Sequence, residues 1–294
     1  MPTTILVTGA TGTIGSQVVN ALSKKEGVTV YAGVRNDGKN APDKAEKLKR
    51  GNVTPVDFDY DKPETLAAAL KGVDKVFLLT PFTPNQVELG IRLVDAAKAA
   101  GVKHLVKLSA LGAEQEPGIQ LGRWHRAIEK HVEASGLAWT FLRPNNFMDN
   151  FISYYPPDKE GAIYLPWGNG ACSFIDARDV GAVAAAVLTS SGHEGKAYVP
   201  TGPEAFTIAQ AASTLSEVTG RAIKYVDVPE AAARKAMLDM GVPAWMTDGM
   251  MELHAIDKAG YATIVTTDVK TLTGQAPRSF RDFARDNAAK WPAS

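Results

Sequence analysis

The sequence has very little cysteine and no excess of charge of either sign. Its 294 residues include one cysteine, Cys172, which excludes an internal disulfide framework and a zinc site built from several cysteines. Lysine and arginine together number 32, as do aspartate and glutamate, so the formal net charge is +0. A balanced chain has no broad electrostatic field for nucleic acid or for a membrane surface. We therefore expect a small-molecule partner, with no nucleic acid and no membrane involved.

Long apolar runs are also missing. No stretch reaches the roughly 20 apolar residues that a membrane-spanning helix needs. The first strand-like segment begins by Thr4, where a secretory leader would instead carry a basic and then an apolar stretch. A cytoplasmic location is the expectation. With 45% hydrophobic and 22% charged residues, the chain is typical of a globular protein with a sizeable core.

The sequence does have a glycine-rich stretch close to its start. An apolar run ending at Val7 leads into Gly9, Gly12 and Gly15, and apolar residues at helical spacing follow. This order predicts a strand, a tight turn and a helix. Glycines let the backbone turn sharply and approach an anion, and the N–H groups at the start of the helix face its charge. We interpret the stretch as a dinucleotide site, the alternative being a turn that binds nothing.

Arg35 follows the second predicted strand, about 20 residues beyond the glycine turn, where the ribose of a dinucleotide is selected. An acidic residue there would bind the ribose hydroxyls of NAD, whereas a guanidinium can pair with the 2′-phosphate of NADP. Arg35 therefore predicts NADP as the cofactor, the alternative being a solvated surface arginine. Lys39 and Lys44 are candidates for a second positive charge.

Apolar segments alternate with helical ones through the first half of the chain. A first strand is predicted to begin by Thr4 and to lead into the glycine turn, and further strands are predicted over 28–34, 52–59, 75–79, 104–109 and 138–143. This alternation predicts an α/β fold with a doubly wound parallel (Rossmann) sheet, whose ligands bind beyond the carboxyl ends of the strands. We expect residues 1–150 to form the NADP-binding domain. Residues 151–294 are expected to form a smaller, interleaved C-terminal substrate lobe, some of whose strands return to the main sheet.

Motifs spread over almost the whole chain are shared with one known family. They lie at residues 8–15 (TGATGTIG), 103–113 (KHLVKLSALGA), 125–129 (HRAIE), 135–144 (SGLAWTFLRP), 147–150, 176–180 and 283–286. Together they resemble the NmrA-like branch of the atypical short-chain dehydrogenases/reductases. That branch includes NADPH-dependent quinone reductases, triphenylmethane dye reductases and regulators that bind a dinucleotide without turning it over.

The resemblance implies a set of cofactor contacts. The phosphates would lie near Gly9, Thr11, Gly12, Thr13, Ile14 and Gly15, the 2′-phosphate near Arg35, adenine near Asp59, the ribose near Thr80 and Pro81, and the nicotinamide near Ser109, Pro144 and Phe147. For Asp59 an alternative is open, because a carboxylate in the run Asp57, Asp59, Asp61 also favours a turn or helix cap.

Many short-chain dehydrogenases carry a Tyr-x-x-x-Lys pair on the helix after the fifth strand, in which the tyrosine passes a proton to a carbonyl. Counting back from Glu129 places Leu121 at the tyrosine position and His125 at the lysine position. We expect His125 and Ser109 as catalytic residues, since the ordinary pKa of a histidine suits proton donation. The alternatives are a structural or exposed histidine and a serine that caps the strand end.

An enzyme without a positioned acid loses roughly 10²–10⁴ in rate, so it favours acceptors that need little help once hydride arrives. Quinones become comparatively stable hydroquinone anions, and cationic dyes or iminium-like carbons become neutral. We therefore predict an NADPH-dependent reductase of a conjugated electrophile. A dinucleotide-sensing regulator without turnover is the alternative, and a sugar or phenylpropanoid reductase or epimerase is disfavoured by Leu121.

Aromatic residues supply flat apolar surface for a planar acceptor, although such residues are also typical of a core. The candidates are Phe82, Trp124, Phe147, Phe151, Trp167 and Trp245. No metal is expected, since the histidines lack ligand spacing with the acidic residues around them. A homodimer is left open as the assembly.

Overall fold

The structure, a computed structural model, describes residues 2–36 and 41–292, apart from the side chains of residues 41, 42 and 44. Lys39 and the side chain of Lys44, the candidates for a second charge, thus lie outside the described residues. The chain folds into two compact units. The first comprises Met1–Gln115, Gly122–Arg143 and Ala177–Val199, and the second comprises Glu116–Leu121, Pro144–Asp176 and Pro200–Ser294.

A seven-stranded parallel sheet lies at the centre of the first unit. Six of its strands are β1 (Thr3–Val7), β2 (Val28–Val34), β3 (Val53–Asp57), β4 (Lys75–Leu78), β5 (His104–Leu108) and β6 (Ala138–Leu142). Two short strands of the second unit, β7 (Ala162–Leu165) and β8 (Ala171–Cys172), then precede β9 (Lys196–Tyr198), which is the seventh. The strand order β3-β2-β1-β4-β5-β6-β9 reverses direction at β1, as a doubly wound sheet requires. The predicted α/β fold is confirmed.

Helices connect the strands of the first unit and cover both faces of its sheet. They are α1 (Thr13–Leu22), α2 (Ala41–Leu48), α3 (Pro63–Ala69), α4 (Gln86–Ala99) and α5 (Gln120–Ser135), followed, after α6 (Asn150–Ser153) of the second unit, by α7 (Ala177–Thr189). Apolar residues of α3, α4 and α5, such as Leu66, Leu93 and Ile128, form one core with the sheet. On α7, Gly181 lies so close to α1 that a Cβ would be 2.7 Å from the backbone of Gln17.

The second unit is built around an aromatic core. β7 pairs in parallel with β11 (Lys224–Asp227), and β8 pairs antiparallel with β10 (Phe206–Thr207). Its remaining helices are α8 (Ile208–Thr219), α9 (Glu230–Asp239), α10 (Ala244–Lys258), α11 (Asp268–Thr273) and α12 (Phe280–Asp286). The core contains Phe151, Trp167, Phe174, Phe206, Phe280 and Phe283. It is separate from the core under the parallel sheet.

Candidate functional site

The turn between β1 and α1 requires glycine at two of its three glycine positions. Gly9 has a φ of 62°, in the left-handed region that residues with a side chain rarely adopt. The Gly12 N–H donates to the Gly9 carbonyl at 2.9 Å and closes the turn. A Cβ on Gly15 would lie only 2.0 Å from the Gly9 oxygen. The absence of side chains therefore lets α1 begin directly against the turn.

The start of α1 is built to receive an anion. The first N–H groups of a helix have no partner within it, and they lie at the positive end of the helix dipole. Gly12 precedes the helix and provides no side chain that could accept from them. Thr11, Gly12 and Thr13 are exposed, while Ile14 is buried beneath them. These residues fit a dinucleotide pyrophosphate, whose oxygens would satisfy the N–H groups.

Hydrogen bonds hold the glycine turn against the end of β4. The Thr8 hydroxyl bonds the Leu79 carbonyl at 3.0 Å and accepts the Leu79 N–H at 2.8 Å. The Tyr60 hydroxyl donates to the same carbonyl at 2.8 Å. A Cβ on Gly9 would be 2.9 Å from a Leu79 methyl group, so the contact is close as well as polar. Thr8 and Tyr60 were not predicted to have these roles, although Thr8 carries a visible signal as a polar residue directly after an apolar strand.

Two further candidate cofactor residues follow neighbouring strands. Arg35 comes directly after β2, which pairs with β1, and its side chain is exposed. Asp59 lies beyond β3, where its Oδ1 accepts the Asp61 N–H at 3.1 Å and its Oδ2 is 3.7 Å from Lys62 Nζ. Asp59 thus closes a turn before α3, as one of its two interpretations stated. Its contact with adenine stays a prediction.

The segment after β4 ends at the same edge of the sheet, since β4 is the other neighbour of β1. Thr80 and Pro81 are half-buried there, and Phe82 is exposed. The Phe82 ring centroid lies 6.1 Å from that of Trp124 on α5, with the planes tilted by 57°. The structure therefore brings these two candidate acceptor residues together as an aromatic pair.

Ser109, at the end of β5, belongs to a buried charged network. Its hydroxyl donates to Glu129 Oε1 at 2.6 Å, so toward a ligand its oxygen can only accept. Arg143 donates to both carboxylate oxygens of Glu129, at 3.0 and 2.8 Å, and also pairs with Glu114 at 2.9 Å. Arg126 Nη1 lies 3.2 Å from Glu129. Burial alone would raise the pKa of Glu129, but the bonds from Arg143 and Ser109 lower it.

Next to this network, Lys107 and His125 are hydrogen-bonded. Lys107 Nζ lies 2.8 Å from His125 Nδ1 and donates to the Leu108 carbonyl at 3.0 Å. Lys107 is completely buried, and His125 is partly exposed. Burial lowers the pKa of Lys107 to about 7, with Glu129 opposing the shift and Arg143 adding to it.

Burial, together with the charge of Lys107, also holds the pKa of His125 well below its ordinary range. The imidazole is therefore neutral near pH 7. His125 does not have the ordinary pKa on which its assignment as a proton donor rested. The physical reasons are the burial of the imidazole and, second to it, the charge of Lys107, a residue that was not predicted to have a role. The signal for Lys107 was a charged residue inside an otherwise apolar strand.

The other predicted site residues belong to the second unit. Phe151 and Trp167 are 0% and 1% exposed and pack against Phe174 in the aromatic core. Side chains without exposed surface cannot contact a small molecule unless the core repacks, so we assign both a packing role in place of acceptor binding. Phe147 and Trp245 are partly exposed and stay candidates. Pro144, which begins this part of the unit, is buried.

The second unit also buries a carboxyl group that the sequence analysis missed. Asp257 on α10 is 0% exposed, and Asn146 Nδ2 donates to both of its oxygens at 3.2 Å. Burial raises the pKa of Asp257 to about 8, with the Asn146 bond opposing the shift. The Cys172 thiol lies 3.6 Å from the same nitrogen, and burial raises its pKa well above the ordinary value, which leaves it protonated.

Replacing Asp257 by asparagine is expected to change how stability depends on pH. The folded-state pKa, about 8, is above the ordinary value of 3.8, so the folded protein holds a proton that the unfolded chain has lost. The stability from this group is complete below pH 4 and is lost as pH rises through about 8. Thermal unfolding should show that the stability of the variant, relative to that of the wild type, increases over this pH range by on the order of a few kcal/mol. A difference that does not change with pH would contradict the assignment.

Two further findings concern residues 2–36 and 41–292. No three histidine, cysteine, aspartate or glutamate side chains in these ranges are grouped so that they could bind a metal ion. No helix in the same ranges has both the length and the apolar character needed to cross a bilayer.

The doubly wound sheet and the glycine turn at its switch point define a dinucleotide-binding protein of the Rossmann class. The model of the NmrA-like family matches residues 1–269, and the chain belongs to this family.

Individual proteins also match this chain over almost its full length. The chain is 42% identical over 291 residues to the NAD(P)H azoreductase of Xenophilus azovorans, covering 99% of this chain and 100% of that protein. The NADPH complex of an Escherichia coli NADPH-dependent quinone oxidoreductase superimposes with a TM-score of 0.83, at 27% identity, covering 96% of this chain and 98% of that one. The NADP(H) complex of a Citrobacter sp. triphenylmethane reductase gives a TM-score of 0.82, at 27% identity, covering 97% and 99%.

Proposed function

We propose that this protein transfers hydride from NADPH to a conjugated electrophile, such as a quinone, an azo compound, a cationic dye or an iminium-like compound. The protein is an oxidoreductase, and its cofactor is NADP(H). The observation that carries the proposal is the glycine turn, which opens α1 to an anion and has Arg35 at the end of the adjacent strand. The names of the relatives, which include azo, quinone and dye reductases, support the acceptor class.

The residues of the glycine turn, the strand ends and α5 have separate tasks in this proposal. The N–H groups at the start of α1 bind the pyrophosphate, and Arg35 pairs with the 2′-phosphate. When bound, NADPH supplies the hydride. The Phe82–Trp124 pair offers aromatic surface to a planar acceptor. His125 is partly exposed on α5. Counting back from Glu129, it occupies the position of the lysine in the Tyr-x-x-x-Lys pair, and Leu121 occupies the position of the tyrosine.

Leu121 explains the choice of acceptor. Hydride addition to a simple ketone leaves a strongly basic alkoxide, which needs an acid at once. A leucine cannot supply one, so acceptors that yield a stabilised anion or a neutral product are favoured. Phe147 and Trp245 are proposed to contribute acceptor contacts, and Ser109 to accept a hydrogen bond from a ligand.

Replacing Arg35 by alanine is expected to weaken NADPH binding and leave NADH binding almost unchanged. Loss of a charge-assisted pair costs about 1–3 kcal/mol, which is roughly a 5- to 150-fold increase in Kd. Calorimetric titration with both nucleotides measures the difference. Arg281→Ala is the matched control, since Arg281 is an exposed arginine that pairs with Glu217 on the surface of the second unit. Equal weakening for the two nucleotides would remove Arg35 as the selector.

The function is tested by following NADPH oxidation at 340 nm with a panel of acceptors. A para-quinone, an azo dye and a cationic triphenylmethane dye are each expected to be reduced, and a simple aliphatic ketone is not. Saturable NADPH binding without turnover of any acceptor would instead support the dinucleotide-sensing regulator. Absence of binding would contradict both.

We propose a small molecule as the partner, without nucleic acid or membrane. Sedimentation of the purified protein tests the homodimer.

A further inference from the structure

Lys107 and His125 are brought together because α5 lies against the end of β5. β5 and β6 are parallel, so the helix that connects them runs antiparallel to both. Glu129 on α5 is level with the end of β5, where it meets Ser109. His125 lies four residues nearer the start of the helix, which is about 6 Å farther out. His125 is thus placed beyond the carboxyl ends of the strands, the edge at which ligands of this fold bind.

The bond between the two side chains fixes which nitrogen of His125 carries the proton. A protonated Lys107 has only hydrogen atoms to donate, so the His125 Nδ1 at 2.8 Å must accept. The neutral imidazole then has its hydrogen on Nε2. Lys107 also donates to the Leu108 carbonyl, and this bond holds its ammonium group inside the protein. The arrangement has an internal proton on Lys107 at one end and a donor N–H on His125, a partly exposed residue, at the other.

From this geometry we propose that Lys107 is the proton source for the reduced acceptor and that His125 is the residue that delivers it. The inference rests on the proposed function, and it names the group that supplies the proton which the stabilised anion of a reduced quinone or azo compound still has to gain. His125 would be a catalytic residue, because it contacts the acceptor. Lys107 acts through His125 and is a positioning residue.

The step balances without any further reactant. When hydride has reached a quinone or an azo bond, the acceptor carries a negative charge on oxygen or nitrogen. The Nε2–H bond of His125 breaks, and that proton forms an O–H or N–H bond on the acceptor. Nδ1 takes a proton from the Lys107 ammonium group, which is left as a neutral amine. Water then returns a proton to Nε2, and Nδ1 gives its own proton back to Lys107, so that both groups are restored. A cationic triphenylmethane carbon that accepts hydride becomes neutral and needs no proton.

The charged groups around the pair determine the pH at which it works. The charges of Glu129 on α5 and of Arg143 after β6 act on Lys107. Arg126 in turn pairs with Glu129, and Glu114 in the loop after β5 pairs with Arg143. Burial is the main cause that lowers the pKa of Lys107 to about 7, with Glu129 opposing the shift and Arg143 adding to it. The proton is therefore present below this pH and lost above it.

The experiment compares an acceptor that needs a proton with one that does not. In the wild type, kcat with a para-quinone should fall about tenfold per pH unit above about pH 7, whereas kcat with the cationic dye should not follow this titration. Lys107→Met should lower quinone turnover at pH 6 by roughly 10²–10⁴-fold and remove the titration. Dye turnover by the same variant should stay within about threefold of the wild type, a margin that is small beside the contribution of a general acid.

Two more variants complete the design. His125→Gln, at a partly exposed position that tolerates substitution better, should give the same selective loss and serves if Lys107→Met folds poorly. Lys98→Met, at an exposed lysine near the end of α4, is the matched control and should change neither activity. Thermal unfolding of each variant establishes that it is folded.

A second readout does not depend on turnover. The chain has five histidines, and ¹⁵N spectra of the labelled protein can be assigned for His125 by its absence from His125→Gln. The wild type should show an unprotonated Nδ1 whose shift changes near pH 7 as Lys107 titrates, and Lys107→Met should lose this change.

Three outcomes would overturn the proposal. They are a parallel loss with quinone and dye, quinone turnover that keeps its titration in Lys107→Met, and a His125 signal with Nδ1 protonated at pH 6. If no acceptor is turned over by the wild type, the proposed function fails. The spectra then still report whether the pair itself exists, so the two failures can be told apart.

Discussion

Replacing Glu129 by glutamine is expected to lower the free energy of unfolding by about 3–5 kcal/mol. The carboxylate is completely buried and receives hydrogen bonds from Ser109 and from two nitrogens of Arg143. A neutral amide of the same shape leaves the buried Lys107 without a compensating charge and leaves Arg143 with Glu114 as its partner. Urea unfolding measures the loss.

Glu133→Gln is the matched control for this prediction. Glu133 lies one turn farther along α5 and binds Arg126 at 2.8 Å, but its side chain is 34% exposed. Screening by water limits such a pair to about 0–1 kcal/mol. Equally small effects of both substitutions would show that the buried network is not what stabilises the end of β5.

Replacing Gly15 by alanine should impair both the fold of the turn and cofactor binding. The added Cβ would lie 2.0 Å from the Gly9 carbonyl oxygen, and no side-chain rotation can relieve the clash, because the Cβ position is fixed by the backbone and the oxygen belongs to it. Such overpacking costs about 1–3 kcal/mol of stability. The start of α1 must also move away from the turn, so we expect the Kd for NADPH to rise by a similar free energy, roughly 5- to 150-fold.

Gly12→Ala separates the two effects of Gly15→Ala. Its Cβ would be 3.4 Å from the same oxygen, an ordinary contact, so stability should change by less than about 1 kcal/mol. Gly12 is exposed at the start of α1, however, and a methyl group there would keep a phosphate at a distance. Thermal unfolding and nucleotide titration of both variants give the comparison. Unchanged NADPH binding in Gly15→Ala would rule out the turn as the phosphate site.

The sheet could be predicted because each of its strands carries a local signal. β2 was predicted with both of its bounds, and β5 and β6 to within one residue, since apolar runs end at turn-forming residues on both sides. α2 and β11 were not predicted. Both are polar segments, and β11 becomes a strand only through its partner β7, which lies about 60 residues earlier in the chain and pairs Ile163 with Tyr225.

The candidate site, like the fold, has a part that could be predicted from the sequence and a part that could not. The glycine turn is encoded within one short stretch, so its residues could be named from the sequence. The contact of Lys107 with His125 depends on how α5 is placed along β5, which no local pattern specifies. The burial of Trp167 could not be predicted either. An aromatic residue among loop residues has the same sequence pattern whether it faces solvent or, as here, the core.

The position of β9 has a consequence for synthesis and for cleavage of the chain. β9 is the outer partner of β6 and comes from residues 196–198, after the chain has passed twice through the second unit. The nascent first unit therefore stays incomplete on the ribosome until about two thirds of the protein has been made. A protease cut after residue 150 would release a fragment without β9 and α7, with β6 as an unpaired edge that is prone to aggregate.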